Sequence, residues 1–414
     1  MTPNHLTPGV YVAEGAADAR TIAGVATGVT ALVGATRRGP CNFPVPVGSF
    51  DDFERRLGGL AADLELGYAV RQFFLNGGSA GWVVRVPRHA DTRQWLQGLN
   101  SLAAVDHFNL LVLPGLDDSD VLAAAADTCR QRRAFLIADA PAEARTPDLM
   151  AQHVQSGALP RTSFGAVYFP WLRIADPLNP GTPRSAPPGG TMAGLFARTD
   201  DIAGVWRAPA GPDAILQGVA GLEGAVSDRE GNALAEWGVN CLRTFPHGTV
   251  AWGERTLEGG ARLNSDWRYV PVRRLALFLE ESLDQGTQWV AFEPNGPTLW
   301  AALRASVGAF MQALFRRGAF LGAKPSEAYF VKCDEATTTP DDIAAGEVTI
   351  EVGFAALRPA EFVVVTIRQL TAPPASSAGP GADRLTGDDS SRSGGAGPRR
   401  MRSRGLRQRR PASA

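Results

Sequence analysis

The sequence predicts a mixed fold of the α/β (α+β) class, with a central α/β domain and a C-terminal α/β domain. An apolar run over 108–113, ended by Pro114, precedes an alanine-rich helix over 120–133 and a second apolar run over 134–138. This succession is typical of parallel strands joined by a crossover helix. Two long amphipathic helices and several short strand-like runs follow residue 270. Apolar residues make up 44% of the 414 residues, which is enough for a sizeable core.

The N-terminal hundred residues predict three strands and two helices. Ser49 opens the first helix with Asp52 at its third position, as in a capping box, and Gly58-Gly59 ends it. Apolar side chains at helical spacing over 64–74 predict the second helix, which Asn76-Gly77-Gly78 ends. The predicted strands are residues 10–12, 25–35 and 82–86.

The pattern between residues 139 and 262 is less regular. Residues 164–174 form one apolar run and predict a single strand. Residues 176–190 are rich in proline and glycine and predict a loop. Many glycines interrupt residues 203–260, where no periodicity is clear.

The C-terminal region shows clearer boundaries. Pro271 starts a helix that Gly286 closes, and a second helix over 298–317 is stopped by Gly318. Thr339 is predicted to cap a short helical turn. The predicted strands are 288–292, 328–333, the alternating run 348–354, and 362–367. The last is apolar on both faces, so we expect it to be covered on both sides.

Charge and targeting signals exclude several classes of protein. The formal net charge is −1, which gives no general attraction to nucleic acid or membranes. Lys324 and Lys332 are the only lysines, which indicates either base-composition bias or arginines chosen for bidentate pairs. We predict no signal peptide, and the uncharged stretch 21–36 is too short and glycine-broken for a membrane span. The sequence therefore predicts synthesis in the cytoplasm.

Metal, redox and nucleotide motifs are missing from the sequence. The four cysteines contain no C-x-x-C pair and predict single buried thiols. The five histidines show no H-x-x-x-H spacing, and no phosphate-binding loop is present. The acidic pairs Asp51-Asp52, Asp117-Asp118 and Asp341-Asp342 lie at predicted helix starts, where they complement the helix dipole. We predict no catalytic residue, no cofactor and no metal.

One enzyme motif does match, and it supports an alternative hypothesis of an α/β serine hydrolase. Residues 77–81 satisfy G-x-S-x-G with Ser79 as the nucleophile, and Asp139 with His153 or His247 could complete a triad. The chemistry requires a turn from strand to helix, whereas here a helix precedes and a strand follows. The structural alternative is an ordinary helix-to-strand turn.

Residues from 371 onward are dominated by Pro, Ser, Gly and Arg, and this composition predicts disorder. An arginine-rich arm that binds nucleic acid and a solvated extension without function are both open interpretations.

Several segments, taken together, resemble contractile tail sheath proteins. The C-terminal segments are Trp267-Arg268-Tyr269-Val270-Pro271-Val272-Arg273-Arg274-Leu275, Gly286-Thr287-Gln288-Trp289-Val290, Tyr329-Phe330-Val331-Lys332-Cys333-Asp334 and residues 358–365. Similar N-terminal and middle segments are residues 8–12, 50–59, 69–78, 197–200, 204–210 and 240–243. Their order and number cover most of residues 8–370, whereas the tail after Leu370 departs from the family.

The resemblance implies a structural protein that polymerises helically around an inner tube and contracts to drive the tube through a target envelope. Implied partners are other copies of the chain, with or without sheath paralogues, the inner tube protein, and baseplate and tail terminator proteins. No small-molecule substrate, membrane insertion or nucleic acid is expected. The implied location is a phage virion tail or a contractile injection particle. The implied segments are an arm and linker (1–20), the N-terminal part of the sheath core (21–100), a middle α/β sheath domain (101–262), the tail sheath C-terminal domain (263–370) and a disordered tail (371–414).

The resemblance also implies that terminal strands of one copy join the C-terminal sheet of neighbouring copies. The residues predicted to do so are Val10, Tyr11, Val12, Phe362, Val363, Val364, Val365 and Ile367. Arg304, Arg316 and Arg317, on or just after the second C-terminal helix, are candidates for contacts with an acidic tube. The alternative for these arginines is a solvated helix face.

Overall fold

An eight-stranded, mostly parallel sheet forms the centre of the molecule. The computed structural model describes residues 19–260, 265–357 and 363–372. The strand order is β11-β10-β6-β5-β4-β1-β3-β2, and only the two edge strands β2 and β11 run antiparallel to their neighbours. These strands are β1 (Thr30–Ala35), β2 (Pro44–Val47), β3 (Gly81–Val86), β4 (Leu110–Val112), β5 (Phe135–Asp139), β6 (Gly165–Phe169), β10 (Val239–Phe245) and β11 (Gly248–Ala251).

Helices cover both faces of this sheet, as the predicted crossover unit requires. Alternate residues of a strand face opposite sides, so Leu32 of β1 packs in one core and Val33 in the other. The first face carries α1 (Phe50–Leu57), α2 (Glu65–Leu75) and α6 (Gly189–Ala203). The second face carries α3 (Thr92–Ser101), α4 (Ser119–Gln131), α5 (Pro147–Gln155) and α7 (Asp228–Ala235).

The caps predicted from sequence are confirmed. The Ser49 side chain accepts the Asp52 amide at the start of α1, and Gly58 ends that helix at φ +95°. Thr339 caps α11 (Pro340–Ala344) with a capping box to Asp342. The three acidic pairs lie at the starts of α1, α4 and α11, as predicted.

The predicted strand 25–35 is correct only from Thr30 onward. Residues 20–25 instead lie against two C-terminal helices: the Arg20 amide donates to Ser306 Oγ (2.8 Å) and the Val25 amide to Ser282 Oγ (3.1 Å). Hydroxyl groups on these helices satisfy backbone amides that a neighbouring strand would otherwise bind.

The single strand predicted over 164–174 is two strands in different sheets. β6 ends at Phe169, and β7 (Leu172–Ala175) belongs to a small sheet of order β8-β7-β9. The break falls at Pro170, which has no N–H to donate to a ladder. The predicted loop 176–190 is also partly wrong, because it contains β8 (Pro183–Ala186) and the first turn of α6. The third strand, β9 (Val219–Leu222), lies in the region that showed no periodicity.

The C-terminal region has its own core between two long helices and a three-stranded sheet. Its elements are α8 (Val270–Gly286), a 3₁₀ helix (Gln288–Phe292), α9 (Pro297–Arg316), α10 (Pro325–Ala328), β12 (Tyr329–Lys332), α11, β13 (Glu347–Phe354) and β14 (Val363–Leu370). Both long helices end near the predicted glycines, with Gly318 at φ +76°.

The strand predicted over 288–292 is wrong, because those residues form the 3₁₀ helix. The Val290 amide donates to Thr287 O (3.0 Å) and the Trp289 indole to Gly286 O (3.1 Å), so the run continues from the end of α8 as a tight turn. A five-residue apolar run does not distinguish a strand from a helical turn by periodicity.

Two glycines allow α6 to lie directly against α2. A Cβ at Gly190 would come 2.4 Å from the Ala69 carbonyl oxygen, and one at Gly194 would come 2.4 Å from the Phe73 carbonyl oxygen. Both contacts are with backbone, which has little room to move away. This close approach allows α6 and α2 to pack side by side on the first face of the sheet.

We expect Gly190→Ala and Gly194→Ala each to lower the free energy of unfolding by about 2 kcal/mol, since the added methyl group overpacks the contact. Gly308→Ala on α9 is the matched control, because a Cβ there meets nothing within 4 Å. It should be neutral or stabilise by up to about 1 kcal/mol. Urea unfolding of the isolated subunit measures all three, and equal midpoints would contradict the packing argument.

Candidate interface for strand pairing

The three-stranded C-terminal sheet has two open edges. Its order is β12-β13-β14, and β14 pairs antiparallel with β13 over all eight of its residues. Within the described residues, neither β12 nor the length of β14 has a second strand neighbour. Backbone groups along such edges are available to another strand.

Four of the eight predicted pairing residues lie within the described parts of the chain, and four lie outside them. Val363, Val364, Val365 and Ile367 lie in β14, so the strand itself is confirmed. Its pairing with β13 means that it is not an isolated segment within its own chain. Val10, Tyr11, Val12 and Phe362 lie outside the described residues. The inter-subunit role of all eight stays a prediction.

The expectation that this strand is covered on both faces is wrong for a single chain. Val363, Val365 and Ile367 are buried against the core, whereas Val364 is 48% exposed and Thr366 is exposed. The reason is that β14 packs on α8 through one face only. An apolar side chain on the outer face remains in water.

Glu293 connects the two ends of the described C-terminal region. Its carboxylate accepts from Arg20 Nη2 (2.9 Å), near the first described residue, and its carbonyl accepts the Ala372 amide (3.1 Å), just after β14. Arg20 also stacks over Trp289 at 4.2 Å. Arg20 and Ala372, the described residues near the two chain ends, therefore meet at one residue, and the neighbouring Phe292 is 85% exposed.

The outer face of α9 carries small residues between arginines. Ala305, Ala309 and Ala313 are exposed, and Gly308 lies between them, half-buried. Arg304 donates to the Cys333 carbonyl, and Arg317 stacks over Trp206 at 5.0 Å. Arg316 is exposed and has no carboxylate partner among the described residues. The three predicted tube-facing arginines are thus not equivalent.

A buried ion pair joins the C-terminal helix α8 to the central domain. Arg274 donates to both carboxylate oxygens of Asp200 on α6, at 2.8 and 2.6 Å, and to Thr27 O at 3.1 Å. The two side chains are 4% and 3% exposed, and Arg274 also stacks over Phe196. At this position, the bidentate geometry favours the interpretation that arginine is used for bidentate pairing over that of base-composition bias.

The proposed hydrolase site is not assembled. Ser79 lies, exposed, in the turn between α2 and β3, which is the helix-to-strand order. The Asp139 carboxylate accepts the amides of Gly115 (2.9 Å) and Gly189 (2.6 Å), while His247 stacks on Phe245. Burial raises the pKa of Asp139 to about 7, and the two amides oppose this shift.

Asp139 fills the position where doubly wound sheets place ligands. It ends β5, and its two amide donors follow β4 and begin α6, at the carboxyl ends of the strands. A carboxylate of the chain itself therefore accepts the Gly189 amide at the start of α6 and the Gly115 amide in the turn after β4. The described residues contain no group of three or more His, Cys, Asp and Glu side chains arranged to hold a metal.

The prediction of buried thiols is partly corrected. Cys129, Cys241 and Cys333 are buried, but Cys41 is exposed. Among the described helices, none combines the length and apolar character that crossing a bilayer requires. The arginine-rich tail lies outside the described residues.

Comparison with known proteins points to one group of assemblies. The family described as the phage tail sheath C-terminal domain matches residues 263–369. The tail sheath protein of Salmonella phage ViI is 26% identical over 204 residues, which is 46% of this chain and 31% of that protein. The matched region thus spans about a third of the curated relative.

Two solved structures are similar over nearly their whole length. The sheath complex of an extracellular contractile injection system, PVC, in its contracted state has a TM-score of 0.71 and 28% identity, covering 88% of this chain and 98% of that one. The helical sheath of the anti-feeding prophage in its contracted state has a TM-score of 0.70 and 30% identity, covering 87% and 99%.

We expect Arg274→Met to lower the free energy of unfolding by about 3–5 kcal/mol, because it leaves the Asp200 carboxylate buried without a partner. Urea unfolding measures the change. Arg130→Met is the control, since Arg130 pairs with Asp127 at the surface, and it should change stability by about 0.5 kcal/mol or less.

The double variant Arg274→Met/Asp200→Leu should recover much of the loss, because no charge then remains buried. If Arg274→Met alone is as mild as the control, the ion pair does not hold α8 to the central domain.

Proposed function

The chain belongs to the family of contractile tail sheath proteins, and on that premise we propose that it polymerises helically around an inner tube and contracts to drive the tube through a target envelope. The observation that carries the proposal is the 30% identity to the anti-feeding prophage sheath over 99% of that chain. This protein is a structural subunit of the family, and we propose no catalytic role for it.

The open edges of the C-terminal sheet support assembly by strand exchange. We propose that the arm Val10–Val12 and strand β14 are the segments through which neighbouring copies exchange strands. An edge strand presents unpaired amide and carbonyl groups, and a strand from another copy satisfies them. Because donor and acceptor surfaces differ, the contact is head-to-tail and propagates along a helix.

The position of the arm's root supports the same proposal. Arg20 is bonded to Glu293, beside the end of β14, so the arm starts next to the sheet of its own copy. A linker of about ten residues extends up to about 35 Å. That distance exceeds the width of a small sheet, so residues 10–12 can reach a neighbouring copy.

Contraction in this proposal uses energy stored in the lattice. The exposed Val364, Leu370 and Phe292 near the sheet edge are apolar surface that a tighter lattice would bury. At about 25 cal/mol per Å², burying about 300 Å² more per subunit would release about 7 kcal/mol, repeated along the polymer. No nucleotide is required.

The outer face of α9 is our candidate for the tube contact. Its small side chains allow close approach of another surface, and Arg316 supplies a charge without a carboxylate partner among the described residues. An acidic tube surface would complement it. Arg304 and Arg317 would contribute less, since both already contact groups of their own chain.

We further propose that the baseplate nucleates the polymer, that a tail terminator closes it, and that the subunit is made in the bacterial cytoplasm. Similarity over nearly the full length of two injection-system sheaths, against a third of the curated phage protein, favours an extracellular injection particle over a virion.

We expect deletion of residues 1–11 to abolish tubular polymers, because neighbouring copies lose one exchanged strand. Negative-stain electron microscopy of the protein co-expressed with its tube and baseplate proteins measures polymer length. The deleted segment lies outside the described fold, so circular dichroism of the variant should match that of the full chain.

Removal of residues 373–414 is the control and should leave the polymers intact. Tubes of normal length formed by the arm-less protein would refute strand exchange through this arm.

We expect Arg316→Glu to weaken binding to the tube several-fold per subunit, since it replaces an attraction of about 1 kcal/mol with a repulsion. Co-sedimentation with pre-formed tube at low salt measures this. Arg130→Glu, which makes the same charge change on α4 of the central domain, should not alter binding. Equal binding of both variants would show that Arg316 on α9 does not contribute to the tube contact.

A further inference from the structure

Strand β14 carries one polar side chain on its buried face. Val363, Val365 and Ile367 are buried, and Gln369 continues the same face, half-buried. Gln369 Nε2 lies 2.9 Å from Thr287 Oγ1, 3.1 Å from Asp284 O and 3.2 Å from Asp284 Oδ1. We call these three oxygens, at the C-terminal end of α8, the glutamine pocket.

Contacts with the rest of the chain hold the glutamine pocket in place. Asp284 Oδ2 accepts from Arg133 Nη1 (2.9 Å), which also donates to Glu281 (2.8 Å). With that oxygen occupied by the central domain, Oδ1 is left toward Gln369. The Thr287 hydroxyl is buried and donates to Leu283 O (2.6 Å), so its lone pairs are also oriented.

The apolar residues of β14 do not define its register by themselves. Val363, Val365 and Ile367 lie opposite Phe354, Val352 and Ile350 of β13. A slip by one residue would turn the apolar side chains outward, but a slip by two keeps the same face inward. Among residues 363–367, such a slip exchanges valine with valine or isoleucine, which differ by one methylene group.

Gln369 makes both slipped arrangements less stable than the native one. In one direction Gln369 would move opposite Ile350, within the apolar core, where its amide loses the pocket oxygens. In the other direction Ile367 would take the place of Gln369 and leave those oxygens without their donor. The first change places the Gln369 amide in the core without acceptors, and the second leaves the buried Thr287 hydroxyl and the half-buried Asp284 oxygens without that donor. Losing such a partner costs more than the contact itself gains.

We propose that Gln369 sets the register of β14 and that the glutamine pocket selects the correctly placed strand when copies exchange strands. The partner is thus a second copy of this chain, recognised through one primary amide. The statement about exchange rests on the proposed function, whereas the statement about register applies to the isolated subunit.

Cross-strand disulfides report the register directly. In a Cys41→Ser background, the pair Glu351→Cys/Thr366→Cys matches the observed register, because these residues are opposite each other. The pairs Glu351→Cys/Val364→Cys and Glu351→Cys/Arg368→Cys match slips by two residues in either direction. A diagonal pair in the native register is too far apart to bond readily.

With Gln369 present, we expect oxidation to form the native pair almost alone. Gln369→Met keeps the length of the side chain but removes the amide, and should raise the ratio of slipped to native disulfide about tenfold. Thr287→Val should act in the same direction without touching β14. Arg368→Met, the neighbouring outward-facing residue, is the control for the Glu351/Thr366 and Glu351/Val364 pairs and should leave their ratio unchanged.

An unchanged ratio in both Gln369→Met and Thr287→Val would overturn the proposal. If circular dichroism shows that Gln369→Met does not fold, Thr287→Val decides alone. In assembled tubes, the two cysteines are placed on different copies. If no cross-links form between copies while the disulfides within one copy still report the native register, strand exchange is refuted. The assignment of the register to Gln369 would then still stand. Equal slipped and native cross-links between copies, with or without Gln369, would refute selection by the pocket.

Discussion

Unsatisfied backbone groups along the edges of the C-terminal sheet are the constraint on which the assembly depends. Amide and carbonyl groups left without partners are costly wherever water is excluded, and within the described residues neither β14 nor β12 has a strand on its outer edge. An edge that no strand of the same chain pairs favours association with another copy. Arg20 and Ala372, the described residues near the two chain ends, both contact Glu293 just beyond β14.

Helix α8 transmits the position of that sheet to the central domain. Arg274 is held by Asp200 on α6, and Asp284 is held by Arg133 at the start of β5. The same helix packs on β14, and Asp284 also accepts from Gln369 of that strand. Charged contacts therefore connect the helix that carries the sheet to the doubly wound domain. In a polymer, this coupling would link the strand connections between copies to the rotation of each subunit.

The elements that could be predicted from the sequence are those whose ends carry capping residues or glycines. Ser49 and Thr339 begin helices and Gly318 follows the end of one where expected, because capping and left-handed geometry are local properties. The run 288–292 was mispredicted, since its apolar residues allow both structures and only contact with α8 decides. The pairing candidates in β14 were found through a family resemblance. Glu293 and Gln369 gave no signal, because their roles depend on partners 273 and 82–85 residues away.

Asp139 has a consequence for how the particle is powered. Its carboxylate takes the amides of Gly115 and Gly189, the donors with which a doubly wound domain would grip a phosphate. These two donors are therefore already bonded within the chain. A phosphate could reach them only by displacing the Asp139 carboxylate from its place at the end of β5.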